Sequence, residues 1–411
     1  MQDLPSRLAA DARVRALYGR LLWLVVLAGV TVTVLFAQTV LQTSFALTSE
    51  PGTVAIKVDF RVFWAAARLA IEGEPLAAFD MQRLGQIHQV ETDVFMPWLY
   101  PPGYLLLMMP FGTMDFSYGF LAFTLLSIVL MGLAVRPFVA GLVPVWLAMA
   151  LAPAYVPTLI LGQNNLLWLA GFLAALAALR DGRPVLAGIF IGCLTLKPQL
   201  GLLIPVALLA AGLWRTIFAA AVTAILLALL PSLLFGFEYW PLFAERLSFM
   251  GDSLIYSLNR LFLMVGPLYL MTLFGLAPET ALQVQWVIVA AAVGIVALLW
   301  RSDRICFDTK AAGLMLAMLL SAPYLWYYEA AMMAAIGLFM VRAGLLGKSL
   351  PQLFLLLCLW LGGLLLALNA FLELVDGRMI GAILITPILA TSMTIVLMRY
   401  AAARSGKTVA A

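Results

Sequence analysis

Lys197, in Thr195-Leu196-Lys197-Pro198-Gln199, is the one lysine or arginine lying well inside an apolar stretch of this chain. Glu329, closing Pro323-Tyr324-Leu325-Trp326-Tyr327-Tyr328-Glu329, is the one acid so placed. A third apolar run is interrupted by the amides of Gly162-Gln163-Asn164-Asn165. Polar and charged groups in such surroundings are costly, which makes them functional candidates. Two plainer arrangements stand beside that reading. Lys197 and Glu329 can pair with each other, and the amides can cap a helix or join two helices by hydrogen bonds. Asp59, in Lys57-Val58-Asp59-Phe60-Arg61, offers a carboxylate at the start of a helix, where capping is its simplest use.

The remaining reactive residue types are few. His88 is the only histidine, which excludes histidine triads and multi-histidine metal sites, and it reads as a solvated loop residue. Cys193, Cys306 and Cys358 are far apart and odd in number, so they give neither a disulfide framework nor zinc spacing. The chain of 411 residues is 64% hydrophobic and 11% charged. Soluble domains average about 45–50% apolar and about 25% charged residues, so a water-soluble globule is excluded. The apolar runs are continuous rather than alternating, which disfavours a β-barrel. The composition specifies an all-α, polytopic transmembrane helical bundle, read as one integral membrane domain over 1–411. The net charge of +4 comes from basic residues scattered between apolar runs, a pattern of membrane topology and not of nucleic-acid binding.

Stepping along the chain, apolar segments fall near 21–41, 102–111, 117–135, 138–155, 158–179, 184–196, 199–212, 216–236, 261–276, 281–300, 311–322, 327–341, 351–372 and 379–398. Segment 21–41 is long for a signal-peptide core and lacks a cleavage pattern, so it is expected to remain as the first span. The polar stretch 42–100 holds seven of the twenty acids against four lysines and arginines. Within it, Val62, Phe63, Ala66, Leu69 and Ala70 share one face of an amphipathic helix suited to lying flat on the membrane. Basic clusters at Arg7–Arg20, Arg180/Arg183, Arg215, Arg301/Arg304/Lys310, Arg342/Lys348 and Arg399/Arg404/Lys407 belong on the cytoplasmic side. Segments 138–179, 184–212 and 311–341 then become hairpins whose turns (156–165, 196–199 and 321–329) face outward with the acidic loop. The scheme has about twelve spans and both termini inside, with 102–111 and 261–276 as short re-entrant or interfacial pieces. A 13-residue helix over 184–196 covers only ~20 Å of a ~30 Å hydrocarbon core. Irregular polar backbone at that depth must line a cavity or be buried in protein, so a pocket in the outer half of the membrane is expected.

Several short motifs occur in an order that resembles glycosyltransferase family 87. They are Asp59-Phe60 with Phe63-Trp64-Ala65-Ala66-Ala67-Arg68, Gly73-Glu74-Pro75, Tyr100-Pro101-Pro102, Gly162-Gln163-Asn164-Asn165, Ala187-Gly188 with Lys197-Pro198, and Ser321-Ala322-Pro323-Tyr324. The resemblance covers roughly residues 55–345. It implies a GT-C-like fold and the transfer of a hexose, mannose-like, from a polyprenyl-phosphate sugar to a lipid or glycan acceptor at the outer face of the plasma membrane. In that superfamily an aspartate of the first outer loop is the general base, and Asp59 matches the position. One carboxylate acting as base, without a covalent intermediate, implies inversion. Lys197 and Arg61 are then expected at the donor phosphate, and Tyr100, Gln163, Asn164, Gln199, Tyr327 and Glu329 at the sugar or acceptor. The sequence departs from the family at Tyr327-Tyr328-Glu329, where members often carry histidine or aspartate. No cofactor is required; a divalent cation shared by Asp59 and Glu329 is conceivable, although no ligand spacing shows it. The competing expectation is a lipid transporter or flippase, since broken helices and embedded charges suit that class too. No internal repeat supports it.

Overall fold

A computed structural model describes residues 58–88, 97–139, 141–256, 264–347, 349–365 and 380–405, together with 23, 27 and 29. The expected first span over 21–41 and the end of segment 351–372 lie largely outside these, as does the side chain of His88. The described elements are helical, and the one β contact among them is an isolated bridge between Met264 and Trp326. The all-α expectation holds.

Near the start, α1 (Phe60–Ile71), α2 (Met81–His88) and α3 (Pro102–Gly112) precede the long α4 (Phe116–Val135). The first broken hairpin comprises α5 (Val143–Ala150), α6 (Val156–Leu161) and α7 (Asn165–Arg180). The second comprises α8 (Pro184–Cys193) and α9 (Ile204–Ala210). There follow α10 (Trp214–Phe235), α11 (Tyr239–Tyr256), α12 (Pro267–Leu273) and α13 (Pro278–Arg301). The third hairpin is α14 (Phe307–Ser321) with α15 (Met332–Arg342), and α16 (Leu350–Leu361) and α17 (Ile380–Arg404) close the bundle. Proline opens α3, α8, α12 and α13, where its fixed φ suits a first helical turn and its missing N–H leaves nothing unsatisfied.

Five segments among the described residues are long and apolar enough to cross a membrane unaided: Phe116–Phe138, Val143–Leu161, Trp214–Phe235, Pro278–Arg301 and Gly381–Arg404. The chain is a membrane protein. Asn165–Arg180, Pro184–Leu196, Pro198–Ala210 and Leu350–Leu361 are apolar but shorter. Five long segments among the described residues are fewer than the expected dozen spans, and three of the four shorter apolar helices belong to the broken hairpins. Helices α3 and α12, of 11 and 7 residues, extend only about 16 and 10 Å, less than the ~30 Å core. On α10 the side chains of Phe218 and Leu233 are 73% and 68% exposed, and the solvent they face is lipid.

Two interiors matter for the site. The larger is built on α14 and α15, which are buried nearly all round from Ala311 to Met340. The smaller joins α1, α3, α4 and α11 through Phe60, Phe63, Trp98, Tyr104, Phe120, Phe123 and Tyr239. Helix α1 does form, yet it does not float on the surface as its amphipathic pattern suggested. Phe60, Arg61, Ala65 and Ala67 are buried along with the expected face, because α3 and α4 cover the second side.

Among the described helices α8 makes its most extensive contact with α10. Gly188 and Gly192, four residues apart, let the two backbones touch: a Cβ on Gly188 would come within 2.5 Å of Ala219 Cβ and 2.6 Å of the Thr216 carbonyl, and one on Gly192 within 2.8 Å of the Ala220 carbonyl. Small residues at this spacing are a general means of close packing in membranes. Gly192→Leu should therefore lower the thermal unfolding midpoint, on a scale of about 1–3 kcal/mol for overpacking. Gly294→Ala, on α13 with open space around it, should raise stability by about 0.5–1 kcal/mol. Thermal melts of both variants in one detergent check the pair; equal behaviour would mean α8 and α10 do not pack through glycine.

Candidate active site

The three hairpin turns and the entry to α1 meet at one end of the bundle. Asp59 occupies the N-cap position of α1, but its side chain makes no capping bond. Its Oδ2 instead accepts a 2.6 Å hydrogen bond from Nε2 of Gln163, in the turn of the first hairpin. The simple capping role is thereby set aside. What brings Gln163 so close is Gly162. Its φ of +64° ends α6 in the left-handed region, and a Cβ there would sit 2.5 Å from Phe60 Cβ, so only glycine allows the turn to press against α1. Tyr100 OH donates to Oε1 of the same amide at 3.4 Å, so Gln163 bridges carboxylate and phenol.

Lys197 follows the short 3₁₀ turn Leu194–Leu196, which breaks the helical run before Pro198. Its Nζ lies 3.2 Å from Oε1 of Glu329, with both side chains at most 4% exposed. The pairing foreseen as a plain alternative is the arrangement found. Lys197 also donates to Oδ1 of Asn165 and lies 5.3 Å above the Tyr328 ring. Glu329 has its second oxygen held by the backbone N–H of Trp326 at 3.0 Å. The third turn is tied to the first, since Thr158 Oγ1 donates to the Tyr328 carbonyl at 2.8 Å. Asn165 Nδ2 is buried with no partner among the described residues, and the buried Asn164 side chain lies beside the Tyr104 hydroxyl. An unpaired buried amide group is costly, so a substrate group that satisfies it gains that much affinity.

The other expected residues are placed less centrally. Arg61 lays its guanidinium over the Phe116 ring at 5.1 Å. Tyr327 is half-buried in the third turn beside Tyr328, ring to ring at 5.5 Å, while Gln199 is exposed just past Lys197. Among the described residues no three His, Cys, Asp or Glu side chains group as metal ligands, and Asp59 and Glu329 each already serve a donor. This donor set does not fit a cation held by protein groups alone. Sequence reasoning missed an aromatic wall beside Asp59. Tyr100 packs at 4.5 Å on Tyr104 and 5.0 Å on Phe63, and Trp98 donates to Tyr239 OH at 2.6 Å, which donates to the Tyr100 carbonyl at 3.0 Å. Aromatics inside apolar runs carry no contrast, so only Tyr100, next to the prolines, stood out. Asn165, to which the sequence assigned no individual role, is the amide that meets the lysine.

Outside the turns, the carboxyl of Asp59 is pushed up by burial, with the Gln163 hydrogen bond and the Lys197 charge pulling it back. A half-buried carboxylate at the entry of α1, a buried cation in the turn of the second hairpin and buried amides of the first hairpin thus lie together at one end of a helical bundle. The chain belongs to glycosyltransferase family 87: a model of that family matches residues 98–323, more than half of the chain. It is thus a membrane glycosyltransferase. No curated protein and no solved structure matches the chain. The matched stretch contains Tyr100, Gln163, Asn164, Lys197 and Gln199; Asp59, Arg61, Tyr327 and Glu329 lie outside it and rest on geometry.

The buried pair generates a stability test. Removing one partner of such a pair typically costs about 3–5 kcal/mol because the other charge is stranded. Glu329→Gln alone should lower the melting midpoint strongly, and Lys197→Met in the same protein should recover most of the loss. A single variant as stable as the parent would show that the two charges do not depend on each other.

Proposed function

We propose that this enzyme transfers a hexose, mannose-like, from a polyprenyl-phosphate sugar to a lipid or glycan acceptor, with inversion, at the outer face of the plasma membrane. The reading takes the chain as a single GT-C-like domain of about twelve spans. The observation that carries it is the convergence of Asp59, held by Gln163 rather than spent on a helix cap, with the buried Lys197. Asp59 takes the proton of the acceptor hydroxyl as its oxygen attacks the anomeric carbon. The bond from that carbon to the phosphate oxygen breaks on the opposite face, and polyprenyl phosphate leaves with the electron pair. Lys197 meets the charge that develops on it, with Arg61 as the second cation of the region. Glu329 keeps the lysine in place between turnovers, and the phosphate competes for the same ammonium. Gln163, Asn164, Gln199, Tyr100 and Tyr327 supply hydrogen bonds to sugar and acceptor. Membrane lipids and the two substrates are the partners; nucleic acid has no place in this reading.

Asp59→Asn should melt like the parent and transfer labelled sugar at least ~10²-fold more slowly. A near-parental rate would remove Asp59 from the chemistry. The base must be ionised to act, so activity should fall as pH drops through the Asp59 pKa. Because burial raises that pKa, the acidic limb should lie above an ordinary aspartate's ~3.9. Gln163→Leu removes a hydrogen bond that favours the carboxylate and should move the limb to still higher pH.

The orientation has its own check. Gln199 is exposed at the site end, and the native Cys306 is exposed beside Arg304 at the opposite, basic end. An impermeant maleimide applied to intact cells should label Gln199→Cys and leave Cys306 unlabelled. The reverse pattern would turn the site toward the cytoplasm.

A further inference from the structure

The Gln163 amide touches the carboxyl of Asp59 with one edge and a phenol with the other. Nε2 donates to Asp59 Oδ2 at 2.6 Å, and Oε1 accepts from Tyr100 OH at 3.4 Å. A primary amide carries its donor and its acceptor on opposite edges, and half a turn about its last torsion exchanges them. The two orientations act on Asp59 in opposite senses. A donated N–H favours the carboxylate, whereas a carbonyl oxygen in its place favours the protonated acid. A general base passes through both forms in each turnover. An unrestrained amide would therefore turn as Asp59 took up a proton, accept a hydrogen bond from it, and hold the base in its spent form.

Tyr100 resists that turn. With the amide reversed, Nε2 would face the phenol, and the Tyr100 O–H would lose the acceptor that the structure gives it. The phenol is itself held in place. Its ring packs on Phe63 at 5.0 Å, Trp98 at 5.3 Å and Tyr104 at 4.5 Å, and the following Pro101 disfavours a helical turn at this residue. Its carbonyl accepts from the buried Tyr239 OH at 3.0 Å, and that hydroxyl accepts from Trp98 Nε1 at 2.6 Å. Packing alone would be met by phenylalanine at 239; the hydroxyl adds the tether. The charged and titratable groups that act on Asp59 are Lys197 from the second turn, Tyr327 and Tyr328 from the third, and Tyr100. Glu329 is paired with the lysine, and Arg61 lies over the Phe116 ring. Among the described residues, Gln163 is the side-chain donor that reaches the carboxyl.

We infer that Tyr100, tethered by Tyr239, locks the Gln163 amide with its N–H toward Asp59, so that the spent base releases its proton to solvent instead of keeping it. Tyr100 and Tyr239 are then positioning residues for the transfer and act through Gln163. For Tyr100 this role is separate from a hydrogen bond to sugar or acceptor. The consequence for turnover rests on the proposed role of Asp59 as base, while the lock belongs to Tyr239, Tyr100, Gln163 and Asp59 themselves.

The test reads the protonation of Asp59 without turnover. Purified protein in nanodiscs is titrated while the infrared band of the protonated carboxyl is followed, and Asp59→Asn identifies that band by its loss. Tyr100→Phe should move the titration to higher pH by about one unit, the scale of one hydrogen bond to a carboxyl. Gln163→Leu should also raise it. In the Gln163→Leu background Tyr100→Phe should add nothing, because the amide through which it acts is gone. Tyr239→Phe keeps the Tyr100 hydroxyl and removes its tether. It should move the titration the same way by less, and it carries the test if Tyr100→Phe fails to fold. The acidic limb of sugar transfer should shift with the titration, whereas a merely structural loss would lower the melting midpoint and leave the titration in place. An unmoved titration in Tyr100→Phe, or an equal shift with and without Gln163, would overturn the lock. So would a titration that Gln163→Leu leaves unchanged, and an unmoved titration in Tyr239→Phe would overturn the tether. If the titrations move as expected while Asp59→Asn transfers sugar at the parental rate, the base reading fails and the lock stands.

Discussion

The arrangement depends on one constraint: a lysine and a glutamate are buried where no water can solvate them. Each needs its partner and further hydrogen bonds at once, and the chain provides them from different hairpins. Lys197 comes from the second turn, Glu329 from the third and Asn165 from the start of α7, so the charges act as the knot that holds three loops in register. A buried pair of this sort adds little net stability compared with apolar replacement, but it penalises every arrangement in which the turns are misaligned. Glycine does the corresponding work for the backbone, at Gly162 by letting the amide turn reach α1 and at Gly188 and Gly192 by letting α8 lie on α10.

Seen this way, stability and chemistry draw on the same residues. The ammonium that offsets Glu329 in the resting enzyme is the charge proposed to meet the departing phosphate. Binding an anion there exchanges one partner for another rather than creating a new buried charge, which keeps the cost of desolvation low at the moment of reaction. Asp59 stands apart from this exchange, on a helix that belongs to the aromatic interior. Among the described residues its hydrogen bond to the hairpins comes from the Gln163 amide.

Much of the site was legible in the sequence because it was written in contrast. A lysine, a glutamate and a run of amides inside apolar stretches are visible without any structure, and all three prove to sit in turns that meet. The partner choices were not legible. Asp59 and Gln163 are 104 positions apart, and nothing local says that a carboxylate at a helix entry will ignore the helix and reach across. The aromatic wall of Trp98, Tyr104 and Tyr239 was hidden for the opposite reason, since ring residues in an apolar run look like core. The all-helical class followed from composition alone. The number of full-length helices did not, because the short apolar helices of the hairpins break the link between an apolar run and a long span. The burial of α1 on two sides was missed because its hydrophobic face is genuinely one-sided; small alanines on the other side pack as closely as larger residues would.

At the basic end, Phe138 lies between two guanidinium groups, with Arg180 at 4.9 Å and Arg342 at 5.6 Å from its ring, and Arg342 is further held by Asp308 at 3.1 Å and by the Phe138 carbonyl at 2.6 Å. This rivet joins α4's end, α7, α14 and α15 where the first and third hairpins begin and end. Helices pinned at one end behave as levers. On a rod the length of α7, about 24 Å, a tilt of about 5° at the rivet displaces the opposite tip by about 2 Å. Room for a bulky sugar can therefore open among the turns while the far side of the protein keeps its seal.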